Sequence, residues 1–213
     1  MENFPASLVA GYRAFRKGDF LDEKERYEEL AKTGQKPQTM IVACCDSRSA
    51  PETIFNVHPG EIFVVRNVAN LVPPYGPSHG FHSTSAALEF AVNGLKVQNI
   101  VVMGHGRCGG IAAALNSNSN PLSSGDFIGK WMELLKPTTG KVETLKGLSA
   151  EEKQKRLEHL SIVASIENLR TFPWISQPEK SGQLALHGAW FDISHGELWL
   201  LDPESGEFFP VSN

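Results

Sequence analysis

Three short apolar runs constrain this chain more than any other feature: Thr39–Cys44 (TMIVAC), Glu61–Val65 (EIFVV) and Gln98–Met103 (QNIVVM). Each has the length of a buried strand and is rich in β-branched residues. Between the second and third lies Phe81–Leu95, rich in alanine and closed by Asn93-Gly94, which reads as a helix. Strands that alternate with helical segments need crossover connections, and these produce a parallel sheet. The expected fold is therefore α/β, with a central, mostly parallel β-sheet flanked by helices.

The flanking segments complete that expectation. Leu8, Val9, Tyr12 and Phe15 recur at helical spacing, and Leu21–Lys32 is a charged helical stretch with Gly34 as its C-cap. They predict an N-terminal helical arm over about residues 1–34. Pro73-Pro74-Tyr75-Gly76-Pro77 is a rigid loop, and Asn116–Gly125 (NSNSNPLSSG) a polar surface loop. Asp126–Leu135 reads as a helix. Ser149 and Glu152 have capping-box spacing and open a long amphipathic helix to about Leu169. Gln183–Ile193 and Glu197–Leu201 are strand-like around a tight Ser194-His195-Gly196 turn, which predicts a C-terminal antiparallel hairpin. No repeat or linker interrupts the 213 residues, so residues 1–213 are expected to form a single domain.

Charge narrows the function classes. Twenty basic against 24 acidic residues leave a net charge of −4, which argues against a general nucleic-acid partner. No apolar run approaches the roughly 20 residues that span a bilayer, and Met1–Tyr12 lacks a basic region followed by an apolar one. The expectation is a cytoplasmic protein without a membrane partner. Three cysteines, Cys44, Cys45 and Cys108, do not make a disulfide framework; they read as core fillers, metal ligands or reactive thiols.

Chemistry concentrates in two segments. Cys44 ends the first run, followed by Asp46 and Arg48. His105 and Cys108 follow the third run, in Gly104-His105-Gly106-Arg107-Cys108-Gly109-Gly110. In a parallel sheet the loops after strand C-termini line the binding crevice, so these segments are placed to converge. Two thiolates and an imidazole suit zinc, and three protein ligands leave the fourth position of a catalytic site open. Cys45 could close the site instead, but neighbours on a strand face opposite ways, so it is expected to point away as a buried small residue. His-x-x-Cys alone arises often by chance, and the glycines alone could form a tight turn or a phosphate cradle. Their spacing matches neither the P-loop nor the dinucleotide fingerprint.

Ala43-Cys44-Cys45-Asp46-Ser47-Arg48 and His105-Gly106-Arg107-Cys108-Gly109-Gly110 together resemble the signatures of the β-class carbonic anhydrases. Pro59-Gly60-Glu61 and Val64–Asn70 are similar to that family as well. The resemblance covers about Gly34 to Leu115 closely and the tail around His187-Gly188 more loosely. It implies one Zn²⁺ per subunit held by Cys44, His105 and Cys108, and reversible hydration of carbon dioxide to bicarbonate and a proton. It also implies a homodimer or homotetramer, because the family's pocket lies at the subunit interface. Asp46 would orient the attacking hydroxide and Arg48 would hold Asp46 ionised. Gln35, Phe63, Val68, Phe90 and the Gly109 amide would line the substrate pocket, with Phe90 where the family carries tyrosine.

Some relatives close the site at low pH through Asp46 and bind bicarbonate at a tryptophan–arginine–tyrosine site. Here Arg66 remains, but Ile41 and Phe191 stand at the other positions, so that effector site is expected to be absent. Two alternatives stay open: a same-scaffold hydrolase of carbon disulfide or carbonyl sulfide, and a non-catalytic zinc or redox-sensing protein. Of His58, His79, His82, His159, His187 and His195, any exposed one near the pocket could relay protons, and the sequence does not choose among them; His159 is read as structural or solvated. The four tryptophans read as core or subunit interface.

Overall fold

The computed structural model describes residues 4–77, 80–116 and 121–212. His79 and residues 117–120 of the expected polar loop lie outside the described residues. The chain divides into two compact units, Met1–Lys36 and Pro37–Asn213. The first contains helices α1 (Ala6–Lys17), α2 (Asp19–Asp22) and α3 (Lys24–Thr33). Phe15, Phe20 and Tyr27 form its aromatic centre, with ring centroids 5.5–6.1 Å apart. Gly34 ends α3 with φ 76°, in the left-handed region that glycine adopts without strain.

The second unit is built on a sheet of six strands among the described residues: β1 (Thr39–Cys44), β2 (Ile62–Asn67), β3 (Asn99–His105), β4 (Ala185–Asp192), β5 (Glu197–Leu201) and β6 (Phe208–Pro210). Their order is β2-β1-β3-β4-β5-β6. The first four are parallel, and β5 and β6 are antiparallel additions. β1 matches the expected run; β2 and β3 each extend two residues past theirs. β6 was not anticipated, because three residues carry no period that marks a strand.

The helices of this unit are α4 (Pro51–Ile54), α5 (Ser83–Glu89), α6 (Gly109–Leu115), α7 (Phe127–Met132), α8 (Lys136–Glu143), α9 (Ala150–Leu169) and α10 (Pro173–Lys180). A π-helical segment, Phe90–Leu95, continues α5. β1 is apolar throughout because both its faces are covered. Met40 and Val42 pack in the main core with Ile100, Val102, Ile162 and Ile166, while Ile41 and Ala43 pack on the other face with Ile54, Phe55 and Leu198.

The capping box at Ser149 is complete: Glu152 N–H donates to Ser149 Oγ at 3.2 Å, and Ser149 N–H to Glu152 Oε2 at 2.7 Å. The helix it opens departs from the expected amphipathic one. α9 buries Leu157, Glu158, His159, Ser161, Ile162, Ser165, Ile166 and Leu169, polar residues among them. It runs against β3 and β4, with α6 and α8 packed on it in turn, so more than one face is covered.

His159 is thus structural, not solvated. Its ring lies 4.3 Å from Phe208 and 4.9 Å from Trp190, and its Nε2 is buried without a partner. Burial, aided by the charges of Lys155 and Arg156, lowers its pKa from 6.5 to about 4. Between these values the unfolded chain binds a proton that the folded one refuses. Stability therefore falls as pH drops from 6.5 towards 4, by about 3 kcal/mol in all. His159→Phe is expected to flatten this limb of Tm against pH relative to the parent; parallel curves would refute it.

Candidate metal centre

β1 and β3 are adjacent and parallel, with Thr39 opposite Asn99 and Ala43 opposite Met103. Their C-terminal ends therefore lie side by side, and with them the two chemistry-bearing segments. Cys44 is the last residue of β1 and His105 the last of β3. Cys108 lies three residues beyond His105, past Arg107, whose φ of 59° turns the chain back. That left-handed residue costs roughly 1–2 kcal/mol in a non-glycine, and the surrounding contacts must hold it.

Ligand atoms of Cys44, His105 and Cys108 all lie within 4.8 Å of one another. The two Sγ atoms are 3.9 Å apart. Two thiolates bound tetrahedrally at about 2.3 Å would stand roughly 3.8 Å apart, so the spacing suits a shared metal ion. His105 Nδ1 donates to Gly106 O at 2.9 Å, leaving Nε2 with its lone pair, buried and without a hydrogen-bond partner. A soft pair of sulfurs and an imidazole nitrogen whose tautomer is set from behind fit a zinc-type ion.

The thiols differ in acidity. The hydrogen bond from Cys108, with help from nearby amides, holds Cys44 well below the usual thiol range. The same bond, with burial, pushes Cys108 up. The pair therefore shares one proton, which a metal would displace. Cys44 Sγ also accepts from the Ala69 amide at 3.4 Å. Ala69 and Asn70 have φ of 64° and 50°, and this tight turn brings that amide inward. Asn67 braces the turn, accepting from Leu71 N–H at 2.8 Å and donating to Leu71 O at 2.9 Å. Trp131 Nε1 donates to Val68 O at 2.8 Å. Gly110 permits the contact with α6, since a Cβ there would lie 2.8 Å from Val68 Cγ1.

Asp46 reaches the rim of the cluster from a turn. β1 stops at Cys44, and Asp46 caps the short 3-10 turn Ser47–Ser49 instead of continuing the strand. Its Oδ1 accepts from Arg48 N–H at 3.0 Å and Arg48 Nε at 2.9 Å, and its Oδ2 from Arg48 Nη2 at 2.6 Å. These bonds hold its carboxyl well below the usual range. Oδ2 lies 3.9 Å from His105 Nε2. Arg48 Nη2 also donates to Arg107 O at 3.2 Å, tying the two segments together. Cys45 is exposed and outside the cluster, correcting its expected burial; it follows the end of β1, where the chain turns at the surface.

Arg66 has a role that sequence reasoning did not give it. Its Nε donates to Cys44 O at 2.8 Å and its Nη2 to Asp46 O at 2.7 Å, so it grips the backbone on both sides of Cys45. Glu158 was also missed. It accepts from the Cys108 amide, Gln154 and Trp190 inside the protein. One signal was available: residues 158, 162, 166 and 169 fall on one helical stripe, and a charge on an otherwise apolar stripe is unusual.

The expected pocket residues are brought together in part. Phe63 and Phe90 meet with ring centroids 5.8 Å apart. Gly109 opens α6 directly after Cys108, and Val68 touches the position of Gly110. Val68 and Phe90 remain 37% and 55% exposed, so this chain alone does not enclose them. Gln35 is exposed and belongs to the first unit.

The family model for carbonic anhydrase matches residues 39–198. Beta carbonic anhydrase 5, chloroplastic, of Arabidopsis thaliana is 38% identical over 196 residues, covering 90% of this chain and 63% of that protein. Beta carbonic anhydrase 3 of the same plant is 35% identical over 211 residues, with 96% and 80% covered. The chain thus spans less than two thirds of the first relative's length. Among solved structures, the β-carbonic anhydrase CcaA superposes with a TM-score of 0.89 at 30% identity, covering 98% of this chain and 92% of that one. A tetrameric β-carbonic anhydrase of Sordaria macrospora gives 0.78 at 27% identity, with 97% and 98% covered. With its signature residues gathered at the ends of β1 and β3, this chain belongs to the β-class carbonic anhydrase family.

Proposed function

We propose that this protein is a zinc-dependent enzyme that reversibly hydrates carbon dioxide to bicarbonate and a proton. The observation that carries the proposal is the Cys44–His105–Cys108 cluster with the ionised, Arg48-bound Asp46 on its rim. Cys44, His105 and Cys108 would hold the metal. When bound, zinc supplies the Lewis acidity that makes water nucleophilic near neutral pH.

The protein's own groups direct that nucleophile. An ionised carboxylate only accepts hydrogen bonds. Asp46 Oδ2 therefore accepts a hydrogen bond from the attacking oxygen and leaves a lone pair free for the carbon. Arg48 keeps Asp46 charged and fixes its orientation through two parallel bonds. Arg66 holds the backbone of the Asp46 turn, so the carboxylate stays at the rim. Phe63, Val68 and Phe90 offer carbon dioxide an apolar surface. Their exposure supports a homodimer or homotetramer in which a second copy completes the pocket, with Gln35 as a contributor.

The test is stopped-flow hydration of carbon dioxide from pH 6.5 to 9, on zinc-loaded protein and on protein stripped with a chelator. Activity that disappears on stripping and returns with one equivalent of zinc per chain is expected. A fully loaded protein without activity would overturn the proposal.

A further inference from the structure

Among the described residues, Glu158 is the one fully buried carboxylate, at 2% exposure. Carboxylates are almost never buried to this degree unless paired. Its partners are N–H groups. Oε1 accepts from the Cys108 amide and from Gln154 Nε2, both at 3.1 Å, and Oε2 accepts from Trp190 Nε1 at 3.2 Å. Gln154 Nε2 also donates to Cys108 O at 3.3 Å. Two side chains one turn apart on α9 thus hold both the N–H and the C=O of Cys108.

Cys108 needs such a hold. The chain reaches it through left-handed Arg107, and it stands at the N-terminus of α6 without capping it, because its Sγ faces Cys44. Fixing the peptide on both sides of its Cα fixes the direction of Sγ. The hold also calls for a carboxylate. Donors approach both oxygens, and an amide side chain has one oxygen and one NH2. Whichever way a glutamine turned, its NH2 would meet either the Cys108 N–H or the Trp190 N–H.

We infer that Glu158 is a positioning residue of the metal centre: through the Cys108 amide it sets the third ligand against Cys44 and His105. The inference rests on the reading of that cluster as a metal site. It adds that the site's geometry is imposed from α9 as well as from the turn that carries Asp46 and Arg48. Groups that orient ligands in this way typically change metal affinity by about 10–100-fold when removed.

The experiment compares wild-type protein, Glu158→Gln and Gln154→Met. Zinc affinity is measured by competition with a chromophoric chelator, the spectrum of the cobalt(II) form is recorded, and Tm is measured on stripped protein. Glu158→Gln is expected to weaken zinc binding by about 10–100-fold and to alter the sulfur-to-cobalt charge-transfer bands. Zinc affinity within about twofold of wild type, with only the stripped protein's Tm lowered, would show a merely structural role and overturn the inference. Should Glu158→Gln fail to fold, Gln154→Met carries the test: it removes the bond to Cys108 O and is expected to weaken zinc binding several-fold, and unchanged affinity would again overturn it. Wild-type protein that binds no stoichiometric zinc would refute the metal-site reading itself. Wild-type binding matched by the variants refutes only the role of Glu158.

Discussion

Asp46→Ala is expected to lower the rate of carbon dioxide hydration by about 10²–10³-fold, the range typical of losing one preorganised hydrogen-bonding group, while metal content stays at one per chain. Asp46 is not one of the three clustered ligands, and its Oδ2 stands 3.9 Å from His105 Nε2. Its removal therefore spares the ligand set and deletes the acceptor that aligns the nucleophile. Asp46→Asn should lose nearly as much. It keeps the shape but gives up one of the two oxygens that Arg48 grips.

The pH profile separates this role from a simple titrating base. The Arg48 hydrogen bonds depress the Asp46 carboxyl, so it is ionised throughout pH 6.5–9. Its loss should scale the whole rate profile down without moving its midpoint. A midpoint shift with little loss of maximal rate would mean that Asp46 acts through charge and not through orientation.

Cys108→Ser should have a comparable effect by another route. Structural zinc binding to small domains is worth roughly 10–16 kcal/mol over four ligands, so one ligand accounts for about 3–4 kcal/mol, or 10²–10³-fold in affinity. Zinc should be lost on dialysis and activity should fall to background. Cys45→Ser is the control. Its side chain is exposed and outside the cluster, so zinc content and rate are expected to match wild type. Zinc content by elemental analysis after dialysis distinguishes the two. Loss of zinc from the Cys45 variant would require a different ligand set.

The strands, the long helix and the ligand segments were legible because their signals are local. β1 could be delimited to the residue because its apolar run is buried on both faces and ends where the chain turns to polar groups. The start of α9 could be placed because a capping box is a four-residue pattern. The short strand β6, the helix α8 and the π-helical turn after α5 had no comparable pattern. They form where neighbouring elements offer them a surface.

The site shows the same division. Cys44, Asp46, Arg48, His105 and Cys108 could be named from two short segments, since residue type and spacing carry their chemistry. How Asp46 is aimed was not legible in them: it caps the turn after β1, and the Arg48 amide bonds the carboxylate that faces the cluster. Local pattern thus determined which side chains supply the chemistry and which segments become strands. Folding decided how they are aimed: the link from Arg48 to Arg107 O, the grip of Arg66 on the β1 turn, and the hold of Glu158 on Cys108. These bonds join residues 59, 20 and 50 positions apart. Such pairings leave no periodic trace in the sequence, because they exist only once β1 and β3 lie side by side and α9 packs behind them.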